Sequence, residues 1–368
     1  MSRSVKALFA PFTFNGLTLP NRIVMAPMTR SKSPGGVPGA DVAAYYRRRA
    51  ENEVGLIVTE GTTIDHPVSS MDVNIPNFFG PSLDGWKNVV SEVHEAGGKI
   101  MPQLWHVGMA RNPSAPNAPH PELPSAGPSG MVAPGKKVSE PMTRADVQAV
   151  IDAFARGAAD ARKIGFDGVE IHGAHGYLID QFFWAGLNER TDEFGGDMLG
   201  REQLGVRVIE AIRREVGHDY PVILRFSQWK QQDYTARLAT TPEELGAFLK
   251  PLSDAGVDVF HCSTRRFWEP EFEGSSLNLA GWTKKLTGKP TITVGSVGLS
   301  GEFIGSFMGE SSNATGIDDL LERLDQEEFD LVAVGRALLV DPAWARKIHE
   351  GRFDELESFK PEALATLS

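Results

Sequence analysis

Eight short apolar segments recur along the 368 residues, and each ends in glycine or in polar side chains. Helical stretches separate most of them; residues 143–164, for example, place Val150 and Phe154 on one face of a helix. Strands that alternate with helices form parallel sheets, and eight repeats predict an α/β protein with a closed (β/α)₈ barrel. The apolar segments are residues 22–28, 55–61, 99–106, 168–175, 221–227, 258–264, 290–297 and 331–338.

An open, doubly wound sheet is the alternative architecture, because it also alternates strands with helices. Such a sheet carries a glycine-rich G-x-G-x-x-G turn after its first strand. Residues 25–29, which end the first apolar segment, contain no such turn. We therefore predict a TIM barrel in one domain over residues 1–368.

Two segments depart from the repeat. Residues 8–19 contain two short strand-like stretches around Asn15-Gly16, a dipeptide typical of hairpin turns, and they predict a β-hairpin that plugs the barrel. Residues 107–141, after the third strand, are rich in Pro, Ser and Gly. Because long ordered loops are usually functional, we expect a lid-like excursion on the catalytic face. A disordered linker between two domains is the alternative, but the strand–helix alternation resumes unchanged after it.

Composition limits the functional class. The formal net charge of −11 argues against binding to nucleic acid or to an anionic membrane, since both favour clustered positive charge. No apolar segment approaches the roughly 20 residues that are needed to span a bilayer. The single cysteine, Cys262, excludes an internal disulfide framework and favours a reducing, cytoplasmic location.

The end of the fourth apolar segment carries the densest group of reactive side chains. Strand-type residues lead to His172, His175 and Tyr177, and Gly173 and Gly176 lie between them. The glycines permit a tight backbone that brings the three side chains into one small volume. Two imidazoles beside a phenol can polarise an oxygen and protonate a nearby carbon. H-x-x-H could also bind a metal, but no nearby run of acids or cysteines completes a ligand set.

A phosphate site is expected elsewhere on the same face. Active sites of (β/α)₈ barrels lie at the carboxyl ends of the strands, and phosphate commonly binds after the seventh and eighth strands. Gly295-Ser296 and Gly335-Arg336 occupy these two places. Glycine lets the backbone approach closely, and arginine supplies forked donors, so we predict that these four residues hold a phosphate.

Two tryptophans are candidates for the walls of a substrate pocket. Trp105 ends the third apolar segment, and Trp268 follows the sixth. Arg265 and Arg266 precede Trp268 and could contact the phosphates of NAD(P)H, although a solvated charge pair is the simpler interpretation.

Five segments add further motifs: NRIVMAPMTR at residues 21–30, QLWH at 103–106, HGAHGYL at 172–178, NERTDEFGG at 188–196 and VGRALL at 334–339. In order and position they resemble the old yellow enzyme family of FMN-dependent ene-reductases. The resemblance extends from about Phe9 to Pro342, and several independent motifs make it specific.

The resemblance implies tightly but non-covalently bound FMN, with NAD(P)H as the co-substrate. Thr29 and Gln103 would lie at the carbonyl and pyrimidine edge of the flavin ring, and Gly61 would leave room for the ring. Arg225 would stabilise the negative charge of the reduced flavin. The residues that the resemblance assigns to the cofactor are Ala26, Pro27, Met28, Thr29, Gly61, Gln103, Arg225, Gly295, Ser296, Gly335 and Arg336.

The resemblance also assigns the substrate side of the site. His172 and His175 would donate hydrogen bonds to the substrate oxygen, and Tyr177 would deliver the proton. The substrates implied are activated alkenes, namely α,β-unsaturated carbonyl or nitro compounds, and the expected assembly is a monomer or a homodimer. The segment after Asp341 lacks the late aromatic residue that caps the pocket in some relatives.

Three other functions are alternatives to an ene-reductase. A relative that feeds electrons through an iron–sulfur cluster would need about four cysteines, and this chain has one. A flavin-free barrel lyase or a metal-dependent hydrolase could use the pair His172 and His175. A non-catalytic flavin-binding protein would be indicated if turnover were unaffected by Tyr177→Phe.

Overall fold

Eight parallel strands close into a barrel in the computed structural model, which describes residues 3–302, 305 and 309–368. The described strands are β1 (Phe12–Phe14), β2 (Leu17–Leu19), β3 (Ile23–Met25), β4 (Leu56–Thr63), β5 (Ile100–Trp105), β6 (Met131–Ala133), β7 (Lys136–Lys137), β8 (Val169–His175), β9 (Val222–Lys230), β10 (Val259–Ser263), β11 (Thr291–Val294) and β12 (Leu331–Val334). The described helices are α1 (Ala40–Glu51), α2 (Ser82–Glu95), α3 (Arg144–Ile164), α4 (Leu178–Phe183), α5 (Met198–Arg201), α6 (Gln203–Val216), α7 (Pro242–Ala255), α8 (Leu279–Thr287), α9 (Asp318–Asp325), α10 (Arg336–Val340) and α11 (Trp344–His349). None of these helices is both long and apolar enough to cross a lipid bilayer.

The barrel strands follow the order β3, β4, β5, β8, β9, β10, β11 and β12, and β12 pairs with β3 to close the sheet. Every pair of neighbours around the barrel is parallel. Each strand falls within or overlaps one of the eight apolar segments of the sequence. The predicted (β/α)₈ barrel is therefore confirmed.

Local sequence determines where the longer helices begin. The Thr143 side chain accepts a hydrogen bond from the Asp146 N–H, and the Asp146 carboxylate accepts one from the Thr143 N–H. Helix α7 follows Thr241, whose side chain accepts from the Glu244 N–H, and Pro242 occupies the first turn. These caps satisfy N–H groups that have no partner within the helix, so each helix starts at a defined residue after its loop.

Alternation along the strands separates two hydrophobic cores. In β9, Ile223 belongs to the core inside the barrel, whereas Leu224 and Phe226 belong to the core between the barrel and the helices. Arg225, two residues after Ile223, also points inward and reaches the carboxyl end of the barrel. Inward positions therefore fill the lower barrel with apolar side chains and leave its carboxyl end to polar ones.

The predicted N-terminal hairpin is present, with strands that are shorter than residues 8–19. Strands β1 and β2 pair around Asn15 and Gly16, which have φ angles of +40° and +77°. Phe14 and Leu19 pack into the inner core beside barrel residues such as Leu56. The hairpin thus covers the amino-terminal end of the barrel, as expected of a plug.

Leu19→Ala tests the contribution of the plug. Leu19 has no exposed surface, so its truncation should lower the free energy of unfolding by about 2–5 kcal/mol. Urea unfolding followed by fluorescence and circular dichroism measures the change. Thr18→Ala is the matched control, because Thr18 is exposed and its change should stay within about 0.5 kcal/mol. Equal effects of the two substitutions would show that the hairpin does not seal the barrel.

Candidate active site

A cavity of about 250 Å³ lies at the carboxyl ends of the barrel strands. Its wall includes every site residue predicted from the sequence except Trp268. The predicted residues that line the cavity are Ala26, Pro27, Met28, Thr29, Gly61, Gln103, Trp105, His172, His175, Tyr177, Arg225, Gly295, Ser296, Gly335 and Arg336.

Trp268 lies outside the cavity wall. Its ring packs edge-on against Phe267, with 5.1 Å between the centroids, and it contacts the outer core. Trp229 lines the cavity instead and stacks on His175 at a centroid distance of 4.6 Å. Trp229 was missed because the fifth strand was expected to end at Ser227, whereas β9 continues to Lys230.

The long excursion after the third barrel strand is present, and it lies outside the cavity wall. Residues 107–141 are all described, and none of them lines the cavity. Arg111 donates to the carbonyl oxygens of His120 and Leu123, so the segment folds back on itself. The Met109 N–H donates to the side chain of Gln181 in α4, which holds the excursion beside the site.

His172 is buried and presents a defined tautomer. Its Nδ1 accepts a hydrogen bond from the Ala174 N–H at 3.3 Å, so the hydrogen of the neutral ring is on Nε2. Burial, aided by the positive charge of Arg225, lowers the pKa of His172 well below its ordinary value. The ring stacks on Trp105 with 5.8 Å between centroids. His172 is therefore a neutral hydrogen-bond donor at neutral pH.

His175 occupies an unusual backbone conformation, with a φ angle of +64°. Its main-chain N–H donates to Ser227 Oγ at 2.9 Å, and its Nε2 lies 2.7 Å from Ser263 Oγ. The ring stands almost perpendicular to that of His172, with 5.1 Å between centroids. Burial and then Arg225 lower the pKa of His175 well below its ordinary value, so this ring is also neutral.

A fully buried ion pair supports this conformation. Lys230 Nζ lies 2.6 Å from Asp180 Oδ1 and also donates to the carbonyl oxygen of Ser227. The second Asp180 oxygen accepts from the Gly176 N–H at 2.7 Å. Left-handed backbone at a non-glycine residue costs about 1–3 kcal/mol and persists only where its surroundings hold it. The Asp180–Lys230 pair and Ser227 supply those contacts on both sides of the bond between His175 and Gly176.

Tyr177 packs edge-on against His172 and Trp105. Its ring lies 5.0 Å from that of His172 and 4.8 Å from that of Trp105. Gln231, which was not singled out from the sequence, donates its amide hydrogen to the phenol oxygen at 2.9 Å. Burial raises the pKa of Tyr177, and the bond from Gln231 counteracts part of that rise. The phenol therefore keeps its own hydrogen at neutral pH and can donate it.

Glu170 organises a polar network inside the barrel. Its carboxylate accepts from Gln103 Nε2 at 2.8 Å and lies 2.7 Å from His261 Nδ1. Because Gln103 gives an amide hydrogen to Glu170, its carbonyl oxygen is left to accept from a ligand N–H. Burial lowers the pKa of Arg225, and the charge of Glu170 opposes that change, so Arg225 stays cationic. No sequence motif indicated this network.

The loops after β11 and β12 form the predicted phosphate end of the cavity. Helix α10 begins at Arg336, directly after Gly335. Ser296 Oγ donates to the carbonyl oxygen of Gly301, and Arg336 donates to that of Glu302, each at 3.0 Å. Burial lowers the pKa of Arg336 to about 10, so the guanidinium is charged at neutral pH. A cation beside glycine-rich backbone is suited to hold a phosphate.

The C-terminal segment closes the apolar side of the cavity. The sequence suggested that no aromatic residue after Asp341 caps the pocket, and the structure corrects this, because buried Phe359 lines it. Leu364 also lines the cavity, and its carbonyl oxygen accepts from Arg30 Nη2 at 3.2 Å. Neither residue could be placed in the cavity from the sequence, since both lie beyond α11 and outside the strand–helix repeat.

The family of the chain follows from its similarity to known proteins. A family model described as NADH:flavin oxidoreductase / NADH oxidase matches residues 7–355. The chain belongs to this family. The solved structures similar to it include an old yellow enzyme homologue, so the predicted membership is confirmed, and the protein is an oxidoreductase of that type.

Several relatives and solved structures cover most of the chain. An NADH oxidase from Thermoanaerobacter brockii is 33% identical over 95% of this chain, and the chain spans about half of that relative (52%). A putative 12-oxophytodienoate reductase 2 from Oryza sativa subsp. japonica is 32% identical, covering 92% of this chain and 86% of the relative. The old yellow enzyme homologue from Zymomonas mobilis superposes with a TM-score of 0.80 at 26% identity, covering 97% and 96% of the two chains. Morphinone reductase in complex with tetrahydroNAD gives 0.81 at 26% identity, covering 97% and 93%.

FMN and NAD(P)H are the cofactors of this family, and the cavity fits FMN. Arg225 Nε is buried and has no hydrogen-bond partner within residues 3–302, 305 and 309–368, as expected where a ligand supplies one. Gly295 has a φ angle of +138°, and a Cβ there would lie 2.8 Å from the Thr264 carbonyl oxygen. Only glycine fits at this place in the phosphate end.

Gly61 lines the cavity and also makes room for a neighbouring side chain. A Cβ at this position would lie 2.4 Å from the indole of Trp105, so the glycine directly makes room for that side chain. Across the described ranges, no group of three or more His, Cys, Asp or Glu residues could hold a metal ion.

Glu60 holds the backbone of the loop that follows β3. One of its carboxylate oxygens accepts from the Arg30 N–H at 2.8 Å and from the Ser31 N–H at 3.2 Å, directly after Thr29. Burial raises the pKa of Glu60 to about 7, although these two hydrogen bonds oppose the rise.

Glu60→Gln should remove a pH dependence of stability. Between about pH 4.5 and pH 7 the unfolded chain loses the Glu60 proton while the folded chain keeps it, so wild-type stability falls as pH rises and then levels off. The glutamine variant should therefore gain about 2–3 kcal/mol relative to wild type between pH 5 and pH 8. Urea unfolding at both pH values measures the gain, with exposed Glu357→Gln as the control. A pH-independent difference would contradict the elevated pKa.

Proposed function

We propose that this protein is an ene-reductase that reduces α,β-unsaturated carbonyl or nitro compounds with NAD(P)H. Bound FMN supplies the hydride transfer from NAD(P)H to the β-carbon of the alkene. Arg225 and Gln103 would hold the pyrimidine edge of the flavin, and Ser296, Gly335 and Arg336 would hold its phosphate.

The observation that carries the proposal is the convergence of two neutral imidazoles and a protonated phenol on one cavity. The ring centroids of His172 and His175 lie 5.1 Å apart, and the centroid of the Tyr177 ring lies 5.0 Å from that of His172. Hydride addition to an activated alkene places negative charge on its oxygen. One well-placed donor is worth about 2.7–4 kcal/mol to such a transition state. Each neutral ring still carries one N–H, so both rings can donate to that oxygen.

Tyr177 is the group proposed to protonate the α-carbon. Its phenol is protonated at neutral pH, and general acids typically contribute about 10²–10⁴-fold. Gln231 would stabilise the tyrosinate that is left, because its amide already donates to the phenol oxygen. The names of similar proteins support the substrate class, since 12-oxophytodienoate denotes an oxo group and two carbon–carbon double bonds.

A flavin-free lyase or hydrolase would use the same imidazole pair without FMN. The visible spectrum of the purified protein separates these functions. We expect a yellow protein that releases FMN on denaturation. In the absence of oxygen, NADPH or NADH should bleach the yellow colour, and 2-cyclohexenone or a nitroalkene should then restore it. A colourless protein that cannot be reconstituted with FMN would exclude the proposal.

Tyr177→Phe tests the proton donor. Bleaching by NADPH should keep its wild-type rate, because that step needs no proton from the phenol. Reoxidation by 2-cyclohexenone should slow by about 10²–10⁴-fold. Anaerobic stopped-flow absorbance measures both steps. Tyr234→Phe is the matched control, because Tyr234 is more exposed and is not part of the cavity wall. Unchanged reoxidation in Tyr177→Phe would point to a different acid.

A further inference from the structure

Ser263 contacts both the Arg225 guanidinium and the His175 imidazole. It is the last residue of β10, it is buried, and it lines the cavity. Its hydroxyl oxygen lies 3.2 Å from Arg225 Nη2 and 2.7 Å from His175 Nε2. No motif in the sequence pointed to this residue.

The donor and acceptor roles in this chain of contacts follow from the chemistry of its members. Arginine can only donate, so Ser263 Oγ accepts from Arg225. The hydroxyl has one hydrogen to donate. Among the hydrogen bonds of the described residues, His175 Nε2 is the atom that can accept it. A neutral imidazole that accepts at Nε2 carries its hydrogen on Nδ1. That atom has no hydrogen-bond partner in the described part of the chain.

We propose that Ser263 is a positioning residue that fixes the tautomer of His175, with the hydrogen on Nδ1 available to the cavity. His172 has the opposite tautomer, because its Nδ1 accepts from the Ala174 N–H. The two rings would thus meet one substrate oxygen through different nitrogen atoms, Nε2 of His172 and Nδ1 of His175. Only this last step depends on the proposed function; the tautomer itself does not.

The reverse arrangement is unfavourable at two places. If His175 donated from Nε2, the Ser263 hydrogen would lose its acceptor in a buried site, which costs about 1–3 kcal/mol. His175 Nδ1 would then present a lone pair to an anionic oxygen, and lone pair and anion repel each other. The positive charge of Arg225 strengthens the favoured direction, because a hydroxyl that accepts from a cation becomes a better donor.

Nitrogen NMR on the FMN-bound protein, labelled with ¹⁵N only in histidine, tests the tautomers directly. Two-bond ¹H–¹⁵N spectra distinguish protonated from unprotonated ring nitrogens, and His175→Gln assigns the signals. We expect protonated Nδ1 in His175 and protonated Nε2 in His172, which serves as the internal reference. A wild-type His175 with protonated Nε2 would overturn the proposal without any variant of Ser263.

Substitutions at Ser263 then test the cause. Ser263→Ala should lose the Nδ1-protonated form as the dominant species, and Ser263→Thr should retain it because the hydroxyl remains. Ser125→Ala is the control, since its buried hydroxyl donates to the carbonyl oxygen of Arg111 and Ser125 is not part of the cavity wall. It should leave the tautomer unchanged. An unchanged tautomer in Ser263→Ala would overturn the proposal.

Binding of 4-chlorophenol, followed by its long-wavelength absorbance with the flavin, supplies the second readout. Ser263→Ala should raise the Kd at least tenfold, and Ser263→Thr should raise it less than threefold. An equal Kd for wild type and Ser263→Ala would contradict the role of His175 Nδ1 as the donor. A protein that shows the predicted tautomers but reduces no alkene would refute the proposed function and leave this inference standing.

Discussion

Side chains of a β-strand alternate between its two faces, and a closed barrel turns that alternation into a filled interior with one polar end. In β9, Ile223 fills the inner core and Arg225, two residues later, reaches the cavity. The same spacing places Glu170 below His172 in β8. Every functional side chain on these strands is therefore fixed by the register of the barrel, and a shift of one residue would turn Arg225 into the outer core.

Polar groups that the barrel removes from water must satisfy one another. Glu170 accepts from Gln103, Ser227 accepts from the His175 N–H, and the Asp180–Lys230 pair holds the neighbouring turn. These contacts give the site a rigid set of donors before any ligand arrives. Preorganised donors stabilise developing charge effectively, because the protein does not have to rearrange as the charge appears.

Much of this architecture could be predicted from the sequence, because strand periodicity, the Asn15-Gly16 turn and helix caps are local signals. The motif at residues 172–177 also predicted that its two imidazoles and its phenol lie together, and all three line the cavity. The sequence could not show contacts between distant residues, such as His175 with Ser263, 88 positions later. The prediction that Trp268 walls the pocket was wrong for the same reason, because the position of Trp268 depends on how its loop packs, which no local pattern records.

The hairpin that covers the amino-terminal end of the barrel limits how ligands can enter and leave the cavity. Phe14 and Leu19 close the amino-terminal end, and the cavity opens on the opposite side. In the proposed reaction the nicotinamide and the alkene would both have to enter and leave through that opening, one after the other. Each reactant would then compete with the other for the cavity, and an excess of either one would slow the cycle.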